Sequence, residues 1–177
     1  MKKIFILLLF LIGFGQIVVA QKFGYIDTDY ILAQMPEYKE AQSEIDQLSK
    51  SWQSEIQQMY KVIEGMYNEL QAEEVLLTPE MKEERMAEIK TKEKEVVEYN
   101  NKVFGYEGLF FLKKEELMKP VLESVFESTE KVSKAHRLQF MFDKAADMVM
   151  IYTDPIHDYT DYVLEELGYG DENDTIK

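Results

Sequence analysis

The chain has 177 residues, of which 46% are hydrophobic, 31% charged and 12% aromatic, which suits one folded domain and is too apolar for a disordered one. It has no cysteine, which excludes disulfides, thiolate zinc sites, iron–sulfur clusters and a cysteine nucleophile. Twenty basic residues against 34 acidic ones give a net charge of −14, which is repelled by phosphate backbones and argues against nucleic-acid binding.

Met1-Lys2-Lys3 is a short basic start, followed by an apolar run over 4–14 and by Val18-Val19-Ala20 before Gln21. A basic end, an apolar stretch and small residues at a cleavage point read as a secretory signal peptide over residues 1–20, cut near Ala20. A retained anchor is the rival reading, but the run is short of the roughly 20 residues that a span needs. No cysteine follows to carry a lipid. Export implies an envelope compartment and leaves an acidic chain of 18 basic and 34 acidic residues. No later stretch is apolar enough to span a bilayer, so the exported chain is expected to be soluble.

Prolines at 36, 79, 120 and 155 divide what remains, because proline is accepted in the first turn of a helix and resisted in its interior. The first helix is expected over about 37–74. Its apolar residues, Tyr38, Ala41, Ile45, Leu48, Trp52, Ile56, Met59, Ile63, Met66 and Leu70, step by threes and fours in a heptad seam with one stutter at Trp52–Ile56. Such a helix is about 55 Å long, too long to curl up inside a domain of this size. The turn follows at Leu76-Leu77-Thr78-Pro79, with Thr78 as cap and Pro79 in the first turn. A second helix is expected to run to about Lys119 and to kink or break at Pro120. It carries Val96-Val97, Val103-Phe104, Phe110-Phe111 and Leu117-Met118, a narrow stripe rather than a full seam. Glu88–Lys92 and Glu98–Lys102 are expected as pairs on its wet side. Gly105 and Gly108 are read as a hinge in this helix or as a close helix contact. A short turn between two long helices makes them antiparallel neighbours.

The ends of the chain differ from its middle. Residues 22–27, 138–142 and 148–152 are candidate strands, the last two joined as a hairpin through residues 144–147. A last helix is expected to open at Asp158 and to pass through Val163, Leu164 and Leu167 to a stop at Gly168. The fold class is therefore mainly α with a small β body (α+β). A long antiparallel coiled-coil hairpin over 37–119 projects from a body formed by 21–36 and 120–168. An acidic tail over 169–177 is expected to be flexible. Few strands and long open edges argue for oligomerisation.

In order along the chain stand Phe23-Gly24-Tyr25-Ile26-Asp27, Tyr30-Ile31-Leu32, Met35-Pro36-Glu37-Tyr38, Leu117-Met118-Lys119-Pro120-Val121, Phe140-Met141-Phe142-Asp143 and Asp158-Tyr159-Thr160 with Val163-Leu164. Around a long helical hairpin and behind a signal peptide, these strings resemble the Skp/OmpH family of periplasmic chaperones over nearly all of the exported chain. The resemblance implies a homotrimer whose strands share a β body and whose three hairpins enclose a cavity for unfolded outer-membrane β-barrel proteins, without ATP or catalysis. On that reading Phe23, Tyr25, Ile26, Val121, Val125, Phe140, Phe142, Val149 and Ile151 form the trimer body. Client binding falls to arm residues among Trp52, Met59, Tyr60, Met66, Tyr67, Phe104, Tyr106 and Phe111. Soft and aromatic side chains suit a promiscuous surface. The same residues also suit packing between the arm helices, above all Met59 and Met66 on the seam.

The charge departs from the family pattern. The segment 37–79 has 3 basic and 9 acidic residues, 80–119 has 9 and 10, and 120–177 has 5 and 13. This argues against contact with lipopolysaccharide or an anionic membrane and in favour of basic clients. Asp154, His157, Asp158 and Asp161 invite a metal reading, but Asp158 and Asp161 fit a helix cap better, and the expectation is no metal and no cofactor. His136 is read as a charge at a helix C-terminus. Nothing resembles a phosphate loop or an activated nucleophile, so the protein is expected not to be an enzyme. The alternative to a chaperone is an exported coiled-coil scaffold, with a saturated arm seam and one defined partner.

Overall fold

Chain reversals in this protein are set by single residues whose backbone chemistry leaves little choice. The computed structural model describes residues 21–146 and 150–170. The expected signal peptide, Met148 and Val149 of the third candidate strand, and residues 171–177 lie outside the described residues.

Strand β1 (Phe23–Ile26) leads into helix α1 (Thr28–Gln34), which Asp27 caps by accepting the Tyr30 amide at 3.0 Å. Pro36 ends α1, because the residue before a proline avoids helical ψ, and Met35 is extended at ψ 121°. Pro36 then occupies the first turn of helix α2 (Pro36–Glu73), an unbroken run of 38 residues. Thr78 caps helix α3 (Pro79–Phe104), accepting the Met81 amide at 3.3 Å. Helix α4 (Leu109–His136) returns the chain to the body, where strand β2 (Phe140–Asp143), a single 3-10 turn (Pro155–His157) and helix α5 (Thr160–Leu167) complete it.

The break in the second half of the hairpin falls at residues 105–108, not at Pro120. Glu107 is left-handed at φ 52°. A Cβ on Gly108 would stand 2.5 Å from the Val103 carbonyl oxygen and 2.9 Å from that of Gly105. Gly105 and Gly108 therefore lie between two helices, at a turn too tight for side chains, rather than inside one. Pro120 is instead interior to α4. It sits on an exposed face, where water can take up the carbonyl that a proline leaves without a donor.

β1 and β2 pair in parallel, Phe23 opposite Phe140 and Tyr25 opposite Phe142. The whole arm is the crossover connection between them. Asp143 locks the register: its Oδ2 accepts the Thr28 hydroxyl at 2.6 Å and its Oδ1 accepts the amides of Thr28 and Ala145. Residues 150–152 do not form the expected hairpin partner. The other edge of β1 is taken by a single bridge to Asp158, with the Tyr159 amide donating to the Tyr25 carbonyl at 2.9 Å. Gly24 lets the Tyr159 ring lie flush on β1, since a Cβ there would meet that ring at 2.4 Å.

Two apolar clusters hold the chain. In the body, Ile26, Ile31, Leu32, Met35, Val121, Val125, Val132, Val163 and Leu164 are buried together. In the arm, Ile56 and Ile63 of α2 meet Ile89 and Val96 of α3. Every residue of the expected α2 seam is buried or half-buried. Helix α5 stops at Gly168, left-handed at φ 84°, with the Tyr169 amide on the Leu164 carbonyl. Tyr169, expected in the tail, packs against the body cluster and donates to both carboxylate oxygens of Glu37 at 2.6 Å. The pairs expected on the wet side of α3 re-form with other partners, Arg85–Glu88, Lys92–Glu95 and Lys94–Glu98. Exposed pairs of this kind contribute little.

Ile89 is 1% exposed. Ile89→Ala is expected to lower the unfolding free energy by about 2–4 kcal/mol in urea denaturation, against under about 0.5 kcal/mol for Val97→Ala on the wet side of the same helix. Gly108→Ala should lower the melting temperature measurably, whereas Gly65→Ala, which meets nothing within 4 Å, should not.

Candidate interaction surfaces

The arm is a narrow rod, so its few interior positions are contested. Met59, Met66, Leu70, Tyr99 and Phe104 pack around the Ile56–Ile63–Ile89–Val96 cluster. Trp52 meets Phe104 edge-on at 6.4 Å between ring centroids, and Phe104 meets Phe110 at 5.7 Å. This aromatic group sits where α3 gives way to α4. Two phenols stitch the helices across the seam: Tyr67 donates to Glu93 at 3.0 Å, and Tyr99 donates to Glu55. Each carboxylate favours the protonated phenol and raises the pKa of its tyrosine above the ordinary value. At the root of the arm, the Tyr169 hydroxyl and its own amide lower the pKa of Glu37.

The arm residues expected to touch client therefore divide. Trp52, Met59, Met66 and Phe104 are engaged within the arm, and Tyr67 is tied to Glu93 while keeping part of its ring exposed. Tyr60, Phe111 and Tyr106 face solvent, Tyr106 at 95% exposure.

The expected body set divides as well. Tyr25, Ile26, Val121 and Val125 are buried within the single chain. Phe23, Phe140, Phe142 and Ile151 are exposed, Ile151 at 96%; Val149 lies outside the described residues. Phe140 and Phe142 stack at 6.4 Å with their planes 16° apart, and Phe23 rests on His157 at 4.6 Å. A hollow of about 440 Å³ opens beside them, lined by Phe23, Tyr25, Phe142, Met150, Tyr152 and His157. Tyr152 and Ile156, also exposed here, were absent from the expected set. Also absent was a second apolar stripe on α4, formed by half-buried Met118 and exposed Leu122 and Phe126. Its signal was the spacing of seven, four and four residues from Phe111 through Met118 and Leu122 to Phe126, which keeps them on one helix face.

Asp154, His157, Asp158 and Asp161 do not converge. Asp154 caps the 3-10 turn through the Ile156 amide, and His157 packs on Phe23. Asp158 is not the cap of α5; it accepts the Thr160 amide and hydroxyl at 3.0 and 2.6 Å, one residue ahead of the Tyr159 cap position. Among the described residues no group of three or more His, Asp or Glu side chains is arranged to hold a metal ion. His136 lies in the last turn of α4, with its ring against Tyr159 and Tyr162. No helix of the described residues is long and apolar enough to cross a membrane.

The sequence profile described as "Outer membrane protein (OmpH-like)" matches residues 22–167, the whole body and arm. The chain belongs to the OmpH-like family. A crystal structure of a Caulobacter crescentus CB15 protein assigned as an OmpH-like outer membrane chaperone is similar in fold, with a TM-score of 0.68 over 90% of each chain at 12% identity. No curated protein sequence matches the chain.

The tyrosine bridges have a definite pH sign. A raised phenol pKa means that the stabilisation is complete below about pH 10, the ordinary tyrosine value, and is lost as pH rises through the folded value. The urea-unfolding free energy should therefore fall above about pH 10 more in the wild type than in a Tyr67→Phe/Tyr99→Phe variant. Equal pH responses would show that the bridges contribute nothing.

Proposed function

We propose that the protein is an ATP-independent holdase of the periplasm, exported by residues 1–20, which keeps unfolded outer-membrane β-barrel proteins from aggregating. Three copies share their sheets at the body, and the three arms enclose the client. The observation that carries this reading is the aromatic outer face of the β1–β2 sheet. Phe23, Phe140, Phe142 and Ile151 are open to solvent in one chain, and β2 has no strand on its outer edge among the described residues. An uncovered apolar face beside an open edge favours association with further copies. Membership of the OmpH-like family and the fold shared with a protein assigned as an outer membrane chaperone support the same reading. A client that alternates apolar and polar residues fits no single rigid pocket, so many weak contacts between arms suit it better than one deep site. No step in this task requires catalysis, a cofactor or a metal.

A scaffold role is the second reading. It is favoured by the packing of Trp52, Met59, Met66 and Phe104 inside the arm, since a saturated seam needs no client.

Light scattering separates the two. The holdase reading expects the mass of three subunits, rising to a soluble complex when a urea-unfolded β-barrel protein is diluted in. A trimer beside a precipitated client would favour the scaffold. Phe140→Asp, at a position 55% exposed within one chain, should leave the helical content intact and abolish assembly. A variant that still ran as a trimer would remove Phe140 from the interface.

A further inference from the structure

Helix α4 presents a second apolar face, outside both core clusters. Val121, Val125, Ser128 and Val132 turn into the body. Along the neighbouring side run Phe111, Met118, Leu122 and Phe126, the last 71% exposed. From Phe111 to Phe126 this stripe is about 22 Å long at 1.5 Å per residue. A shallow groove of about 810 Å³ follows it, lined by Met118, Leu122 and Phe126 together with Glu115, Lys119, Glu123, Glu127 and Glu130.

The charges decide what such a groove holds. Lys119 lies 4.0 Å from Glu123, and Glu130 is paired with Lys134 at 2.7 Å. Glu115 and Glu127 have no ion pair among the described residues. Four carboxylates against one ammonium give the groove an excess of negative charge, of which Glu115 and Glu127 are the uncompensated part. A second copy of the same face would bring these glutamates against their equivalents, which opposes self-association there. A basic, apolar segment meets no such penalty.

We infer that this face of α4 is a docking surface for an extended stretch of unfolded polypeptide whose apolar residues are flanked by Lys or Arg. The inference rests on the holdase reading and adds to it the chemical class of client segment. Glu115 and Glu127 are about 18 Å apart along the helix axis. An extended chain covers that distance in five or six residues at about 3.3 Å each. The segment is therefore short, with basic residues at its two ends and two or three apolar side chains between them on the helix-facing side.

The test uses two labelled peptides with the same alternating Phe, Val and Leu centre, one flanked by Lys and one by Glu. Their binding to the purified protein is followed by fluorescence anisotropy at low and high salt. The Lys-flanked peptide is expected to bind about tenfold tighter at low salt, the effect of two exposed ion pairs. The difference should shrink towards unity at high salt. Replacing all four carboxylates (Glu115→Gln, Glu123→Gln, Glu127→Gln, Glu130→Gln) should erase the preference without changing the oligomeric mass. Leu122→Ser/Phe126→Ser should weaken both peptides at unchanged mass. Equal binding of the two peptides by a protein that still holds an unfolded β-barrel client would overturn this inference alone. Failure to bind either peptide or the client would overturn the holdase reading with it. Loss of oligomeric mass in Leu122→Ser/Phe126→Ser would make the face a subunit contact and overturn the inference.

Discussion

The parallel pairing of β1 with β2 is the constraint on which the rest depends. Its register is held by Asp143 bonded to Thr28, two residues 115 positions apart. Parallel strands cannot be joined by a tight turn; they need a crossover. In this chain the crossover is the entire arm. The two roots of the hairpin, Pro36 on α2 and the later turns of α4, are held together because the strands on either side of them are zipped. Without that closure the arm would be a helical pair of ordinary surface character, with only a narrow apolar seam to keep it in register.

The seam explains why the arm carries more than aliphatic residues. One row of contacts per helix, Ile56 and Ile63 against Ile89 and Val96, buries little area. The phenols of Tyr67 and Tyr99 reach across to Glu93 and Glu55 and so add directional bonds where packing is thin. Glu93 illustrates this economy. It occupies a position where a full heptad would place an apolar side chain, and it serves instead as an acceptor for the opposite helix. At the other end of the arm, the Trp52–Phe104–Phe110 group fills the space opened where the backbone turns at residues 105–108. An arm built in this way has a break at residues 105–108 and polar ties across its seam rather than one uniform coiled coil.

The body keeps its apolar residues in two places with different consequences. Aliphatic residues of β1, α1, α4 and α5 make a core complete within one chain. The aromatic residues Phe23, Phe140 and Phe142 lie on the outer face of the sheet, where the described residues leave them partly exposed. Large rings stacked on an open sheet offer much burial to a neighbouring subunit for little loss of side-chain entropy.

Sequence by itself determined what short-range chemistry dictates: the helix starts at Pro36 and Pro79, the Thr78 cap, the stop at Gly168, and the seam from Tyr38 to Leu70, each a matter of proline geometry, an available side-chain oxygen, left-handed glycine or heptad period. It also carried the family resemblance, because ordered strings survive where pairwise contacts cannot be read. Tertiary structure alone decided the parallel sheet in place of a hairpin, the use of Gly105 and Gly108 as a break rather than a hinge inside a helix, and the passage of α4 through Pro120. It also divided one set of aromatic and aliphatic residues into packed and exposed members: Trp52 and Phe104 within the arm, Tyr106 and Phe111 outside it, Val125 in the core and Phe126 on the surface. Adjacent residues of the same chemistry differ there only in which way the helix has turned by the time it meets a neighbour, and that depends on contacts between segments far apart in the chain.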